Sequence, residues 1–214
     1  MNWNDLEKHF SAARLGRYRA SCGGDEGRAA SAYVSNMLLA EATMPMLNVV
    51  EIALKNGIHR RLSIVYGRAD WWEAWNGDPT LQWQLREVAG AKAKLQRRAE
   101  ATTPDKIVAE LAFGFWSSLF NVHLQAALWK DLRLVFPRCP KPQRQRHTIS
   151  SALNQVRELR NRVFHHEQLL WLTPPLIDLH AKGLEVVGWL DPQLLQWLRQ
   201  YDRLPATWAA VQPI

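Results

Sequence analysis

Apolar residues along this chain recur at intervals of three and four, and no stretch alternates strictly, so the pattern predicts an all-α protein. Residues 3 to 18 predict one short amphipathic helix through Trp3, Leu6, Phe10 and Leu15, with a flexible break at Cys22 to Gly27. A second helix, opening near Arg28, is expected from Ala29 to Tyr66, with Tyr33, Leu38, Met44, Leu47, Val50, Leu54, Ile58, Leu62 and Val65 at helical spacing. Pro45 inside it predicts a kink or a split, because proline removes a backbone donor and crowds the preceding turn. The hairpin-like triplet Lys55-Asn56-Gly57 falls inside this helical pattern.

Three later helices announce themselves by a capping residue followed by proline: Asp78-Pro79, Thr103-Pro104 and Asp191-Pro192. The helix from Pro104 is expected to carry Ile107, Leu111, Phe115, Leu119 and Val122 as one central row, with Ala112 and Gly114 allowing a neighbour close. Phe136 to His147 contains three prolines, four Lys or Arg side chains and no acid, and predicts a loop. A helix then opens at Ser150 or Ser151, runs to about residue 168, and is expected to stop by Thr173-Pro174-Pro175. A weaker helical pair follows, with Leu194, Leu195, Leu198 and Tyr201 facing inward.

A chain of 214 residues with 47% hydrophobic content can bury one sizeable core, so a single domain over 1–214 is expected. Its parts are an N-terminal helix and break (1–27), a core (28–170) and C-terminal helices (171–214). Apolar runs such as Met37 to Leu39 fall far short of the roughly 20 residues a membrane helix needs, and the N-terminus has no basic-then-apolar signal region. The expectation is a cytoplasmic protein without membrane attachment. Cys22 and Cys139 are too few for a disulfide framework and predict free thiols. The eleven tryptophans are expected in the core and at interfaces. A net charge of +7 favours an anionic partner, nucleic acid first.

Candidate chemistry concentrates between Gln155 and Gln168. With Val156, Leu159 and Val163 facing the core, Asn154, Arg157, Asn161 and His165 form a second, polar stripe, bordered by Arg160. Phe164 lies between the two stripes, and an aromatic there is most simply covered by a second copy of the helix, with Asn154 and Phe164 at the seam. On spacing alone, the stripe also reads as a solvated face ending in His165-His166-Glu167. The basic residues Arg138, Lys141, Arg144 and Arg146 just upstream read equally as a linker or as phosphate contacts, to which Arg157 and Arg162 would add.

The segment Leu159 to Glu167, Leu-Arg-Asn-Arg-Val-Phe-His-His-Glu, resembles the signature of the HEPN superfamily in its abortive-infection (Abi-like) form. Tyr33 to Trp72, with Asn36, Glu41, Glu51 and Asn56 and the Tyr66-Gly67 and Trp71-Trp72 pairs, is similar to the N-terminal half of Abi-like proteins, and Leu111 to Phe120 to their middle. The resemblance implies a helical bundle with a HEPN-type core, working as a dimer and cleaving RNA without a metal to leave 2′,3′-cyclic phosphate ends, typically in phage defence or toxin systems. An antitoxin or a trigger protein is a further implied partner. Some HEPN toxins carry a tyrosine two positions after the histidine; here that position is Glu167, so control by modification at that site is not implied.

The chemistry fits the residues. Histidine is the side chain poised near neutral pH to take and return a proton, and RNA supplies its own 2′-hydroxyl nucleophile. His165 would move the proton, Arg160 would hold the phosphate, and Asn161 would orient either one. The second proton transfer falls to His166 or to the partner's His165. No cofactor is expected, and His165-His166-Glu167 is a poor metal chelate because adjacent helical residues diverge. No phosphate-binding glycine loop and no serine or cysteine nucleophile signature occurs. The alternatives are a non-catalytic helical module that binds RNA or protein through the same face, and a motif helix that is only a dimer seam.

Overall fold

The computed structural model describes residues 2–211, and among these every regular element is helical. The N-terminal segment forms two helices, α1 (Trp3–Phe10) and α2 (Ala12–Ser21), instead of the single helix expected. The chain breaks at Ser11, which has a φ of 68° and whose hydroxyl accepts the Arg14 N–H to start α2. A left-handed φ costs a residue other than glycine roughly 1–2 kcal/mol. Cys22 to Asp25 form a tight turn, and Asp25 caps the next helix through the Arg28 N–H.

Helix α3 (Glu26–Tyr66) runs 41 residues, ending at Gly67, whose φ of 67° suits a helix-terminating glycine. The split expected at Pro45 does not occur. Ala42, Thr43, Met46 and Leu47 are buried on both sides of the proline. That packing outweighs the roughly 3 kcal/mol a proline costs in a helix interior. By length and composition α3 could cross a membrane, unlike the short apolar runs weighed from sequence. Here it is the axis on which most of the other helices pack, with contacts to α2 and to six later helices.

Two short 3₁₀ turns (Trp71–Trp75 and Pro79–Leu81) lead into α4 (Gln82–Arg97). The row from Pro104 is interrupted: α5 (Pro104–Glu110) ends, Leu111 and Ala112 are extended, and α6 (Phe113–Ser118) follows. Ile107, Leu111, Phe115 and Leu119 are all buried, so the burial expected of one helix is met by a bent chain. The Trp116 indole donates to the Leu111 carbonyl at 3.3 Å, which satisfies an acceptor freed by the bend. Val122 lies outside the row, in a 3₁₀ turn and 69% exposed, and a Cβ on Gly114 would meet nothing, so no neighbour approaches there.

Helix α7 (Gln125–Leu132) precedes the basic segment, which is folded onto the core by buried Phe136 and Cys139 and by the Arg138 N–H donating to the Trp189 carbonyl. Next come α8 (Arg146–Phe164), α9 (Leu176–Leu190), α10 (Pro192–Arg199) and α11 (Leu204–Val211). The sequence undercounts this end. Instead of a weak pair there are three helices, and α9 packs against both α3 and α8. A Cβ on Gly183 of α9 would lie 2.1 Å from the Met46 sulfur, so glycine sets this crossing. Leu198 is buried, whereas Tyr201 is 54% exposed and does not face inward.

Tryptophans 71, 72 and 116 lie in the core, with Trp71 and Trp75 ring centroids 4.7 Å apart, while Trp83, Trp171 and Trp197 are substantially exposed. A smaller cluster of Trp3, Leu15, Tyr18, Cys22, Ala29 and Ala32 ties α1 and α2 to α3 and to Leu170, beyond α8. Both cysteines are buried and free.

Candidate functional site

Helix α8 opens four residues earlier than expected, at Arg146, and closes at Phe164, well before the prolines. Its core stripe is as read from sequence, with Val156, Leu159 and Val163 buried. Its end is a Schellman closure: the Glu167 N–H reaches the Arg162 carbonyl at 2.8 Å and the His166 N–H reaches the Val163 carbonyl at 3.1 Å. That closure puts His166 at the left-handed position usually held by glycine, with φ 55°. His165 is the capping residue and its N–H still bonds the Asn161 carbonyl at 2.8 Å, so Asn161 and His165 stay one turn apart.

Two side chains from elsewhere in the chain, and one from α8 itself, fix the turn after α8. Buried Asn36 of α3 donates from Nδ2 to the Glu167 carbonyl at 3.0 Å and accepts the Leu169 N–H on Oδ1 at 2.6 Å. Arg14 of α2 donates from Nη1 to the His166 carbonyl at 2.6 Å. Arg162 pairs with Glu167 at 3.2 Å, closing the turn on its outer side.

Arg160 is held by its edge and its face. Its Nε donates to Glu51 Oε2 of α3 at 3.0 Å, and its guanidinium carbon lies 4.5 Å from the centroid of the Phe164 ring. Phe164 itself is 46% exposed. Asn161, His165 and His166 are exposed and Asn154 is half-buried. His165 and His166 both line a cavity of about 310 Å³ between the end of α8 and α2, together with Arg14, Arg17, Tyr18 and Gln168.

No family model, curated protein or solved structure matches the chain.

The basic residues divide. Arg146 donates to the Gln125 side chain at 2.8 Å and the Phe120 carbonyl at 3.0 Å, which anchors the start of α8 and occupies its guanidinium. Arg157 leans on α6, donating to the Ser117 hydroxyl at 3.4 Å. Arg138 and Lys141 are exposed and Arg144 is half-buried, beside Cys139, whose thiol burial pushes above its usual range. Among the described residues no three of His, Cys, Asp and Glu converge as a metal site.

Sequence spacing does not reveal Arg14, Arg17, Tyr18 or Gln168 as partners of the histidines. The one available signal is the i, i+3 placement of Arg14 and Arg17 on an amphipathic helix.

Proposed function

We propose that this protein is an Abi-like member of the HEPN superfamily and a metal-independent endoribonuclease. The observation that carries the reading is the convergence of His165 and His166 on one cavity at the end of the helix bearing Arg160 and Asn161. Two proton-transfer groups at one opening meet what transesterification asks for: a base at the 2′-hydroxyl and an acid at the departing 5′-oxygen. Arg160 spends its Nε–H on Glu51, and a guanidinium has five N–H groups, so its terminal nitrogens have donors left for a phosphorane. Asn36 and Glu51, two residues of the upstream resemblance, are the side chains that brace the turn and the arginine.

A homodimer fits the same reading. Phe164 is exposed on α8, and α3 with α10 forms an apolar groove of about 570 Å³ lined by Met44, Pro45, Trp197 and Tyr201. A second copy seated on Phe164 would bring its own His165 near the first. In a defence or toxin setting, an antitoxin or trigger protein would govern when the site works.

One observation favours the second reading, a silent RNA- or protein-binding module: Arg160 and Arg162 already have carboxylate partners in Glu51 and Glu167. Cleavage of a structured RNA in excess EDTA separates the two. The enzyme reading expects fragments at an undiminished rate, and dependence of the rate on added metal contradicts it.

A further inference from the structure

The cavity beside the histidines is lined mainly by residues that carry hydrogen-bond donors, and two of these donors are buried without a partner. Tyr18 is 2% exposed, its ring fixed between Tyr33 at 5.2 Å and Trp171 at 5.9 Å, and its hydroxyl makes no hydrogen bond among the described residues. Gln168 Nε2 is likewise buried and unpartnered. Native structures rarely leave buried donors unused, so a pair of them on one cavity calls for an acceptor from outside the chain.

The charge around them specifies that acceptor. Arg17 lies one turn from Arg14 on α2 and has no ion pair among the described residues, while Arg14 is locked against the His166 carbonyl. The carboxylate on the rim, Glu167, is turned to Arg162. Burial pushes the Tyr18 hydroxyl up to about 12, so it stays a donor throughout the working range of a histidine. Cations and neutral donors with no free acceptor charge match a phosphate oxygen better than a base edge, which needs both donors and acceptors.

We propose that this cavity is a phosphate-binding site that seats a backbone phosphate of the RNA beside His165, with Arg17, Tyr18 and Gln168 as the donors. The assignment rests on the RNA reading of the motif helix and deepens it: α2, outside the motif, sets where the strand lies. Arg14 is a positioning residue here, since its guanidinium holds the turn that carries His165 and His166.

The test is a binding measurement that does not depend on cleavage. A short RNA made of 2′-O-methyl nucleotides has no nucleophile, and its affinity is read by fluorescence anisotropy as a function of salt. Arg17→Ala is expected to weaken binding about 10-fold and to reduce the salt slope by about 0.7, the value for one phosphate contact on a single strand. Tyr18→Phe is expected to weaken binding several-fold and leave the slope unchanged, with circular dichroism confirming the fold of both variants.

Wild-type affinity in both variants overturns the proposal. So does binding of inorganic phosphate that Arg17→Ala loses, in a protein that gives no RNA binding. RNA binding with the expected losses, in a protein that never cuts RNA, keeps the pocket and removes the ribonuclease reading. Cleavage that both variants carry out as the wild type does removes the pocket and keeps that reading.

Discussion

Arg160 on α8 and Glu51 on α3 meet at 3.0 Å, and the opposite constraint, the Phe164 ring under the guanidinium, leaves the arginine one orientation. Both members of the pair are largely withdrawn from water, so the ion pair is only weakly screened. In the proposed chemistry Glu51 aims a cation at the phosphorane and does not touch RNA.

Glu51→Gln is therefore expected to slow RNA cleavage by roughly 10²-fold, the scale of an ångström's misplacement of a catalytic group, with little change in RNA affinity. Single-turnover kinetics check this. A faster Gln variant would mean that Glu51 restrains Arg160 instead of aiming it, and would contradict this role.

His166 occupies a left-handed position that glycine adopts without strain. His166→Gly is expected to stabilise the fold by about 1 kcal/mol, raising Tm by about 2–4 °C for a chain of this size. The same variant assigns the second proton transfer. A loss of roughly 10²–10⁴-fold in cleavage makes His166 the partner of His165, and retained activity gives that role to the other protomer.

The α3–α9 crossing at Met46 and Gly183 has no room for a methyl group. Gly183→Ala is expected to cost roughly 1–3 kcal/mol by overpacking, read by denaturant unfolding. Gly114→Ala is the control, because a Cβ there meets nothing, and it should leave stability unchanged or raise it by up to ~1 kcal/mol.

His59 accepts the Trp71 indole N–H on Nδ1 at 2.9 Å, an arrangement only the neutral ring permits. Burial pushes its pKa below the ordinary histidine value, with Asp105 opposing and Arg60 adding to the shift. The unfolded chain therefore takes the proton first. The stabilisation is fully present above about pH 6.5 and declines as pH falls through the folded value. Tm measured from pH 8 down to pH 5 should drop more steeply in the wild type than in His59→Gln, which cannot titrate; parallel curves would contradict this.

What could be read from the sequence was local. The core stripe of α8 follows from side-chain period alone, as do the caps at Asp78 and Asp191, both of which accept backbone N–H groups just inside their helices. The break at Leu111-Ala112 left no trace because the buried residues keep their spacing through the bend. Helix α9 gives a weak periodic signal because it is apolar around most of its circumference, the mark of a central helix, and offers little contrast between faces. The site was half legible. His165 and Arg160 stand in one short segment, but Arg14, Asn36 and Glu51 lie 152, 131 and 109 residues from the atoms they hold, and no spacing rule reaches that far.

The most direct measurement is RNA cleavage in excess EDTA by the wild type and by His165→Ala, followed by chemical analysis of the 3′ ends. Transesterification at His165 predicts 2′,3′-cyclic phosphate ends from the wild type and a loss of about 10²-fold or more in the variant. Equal cleavage by both proteins, or ends bearing a free 3′-hydroxyl, would contradict it.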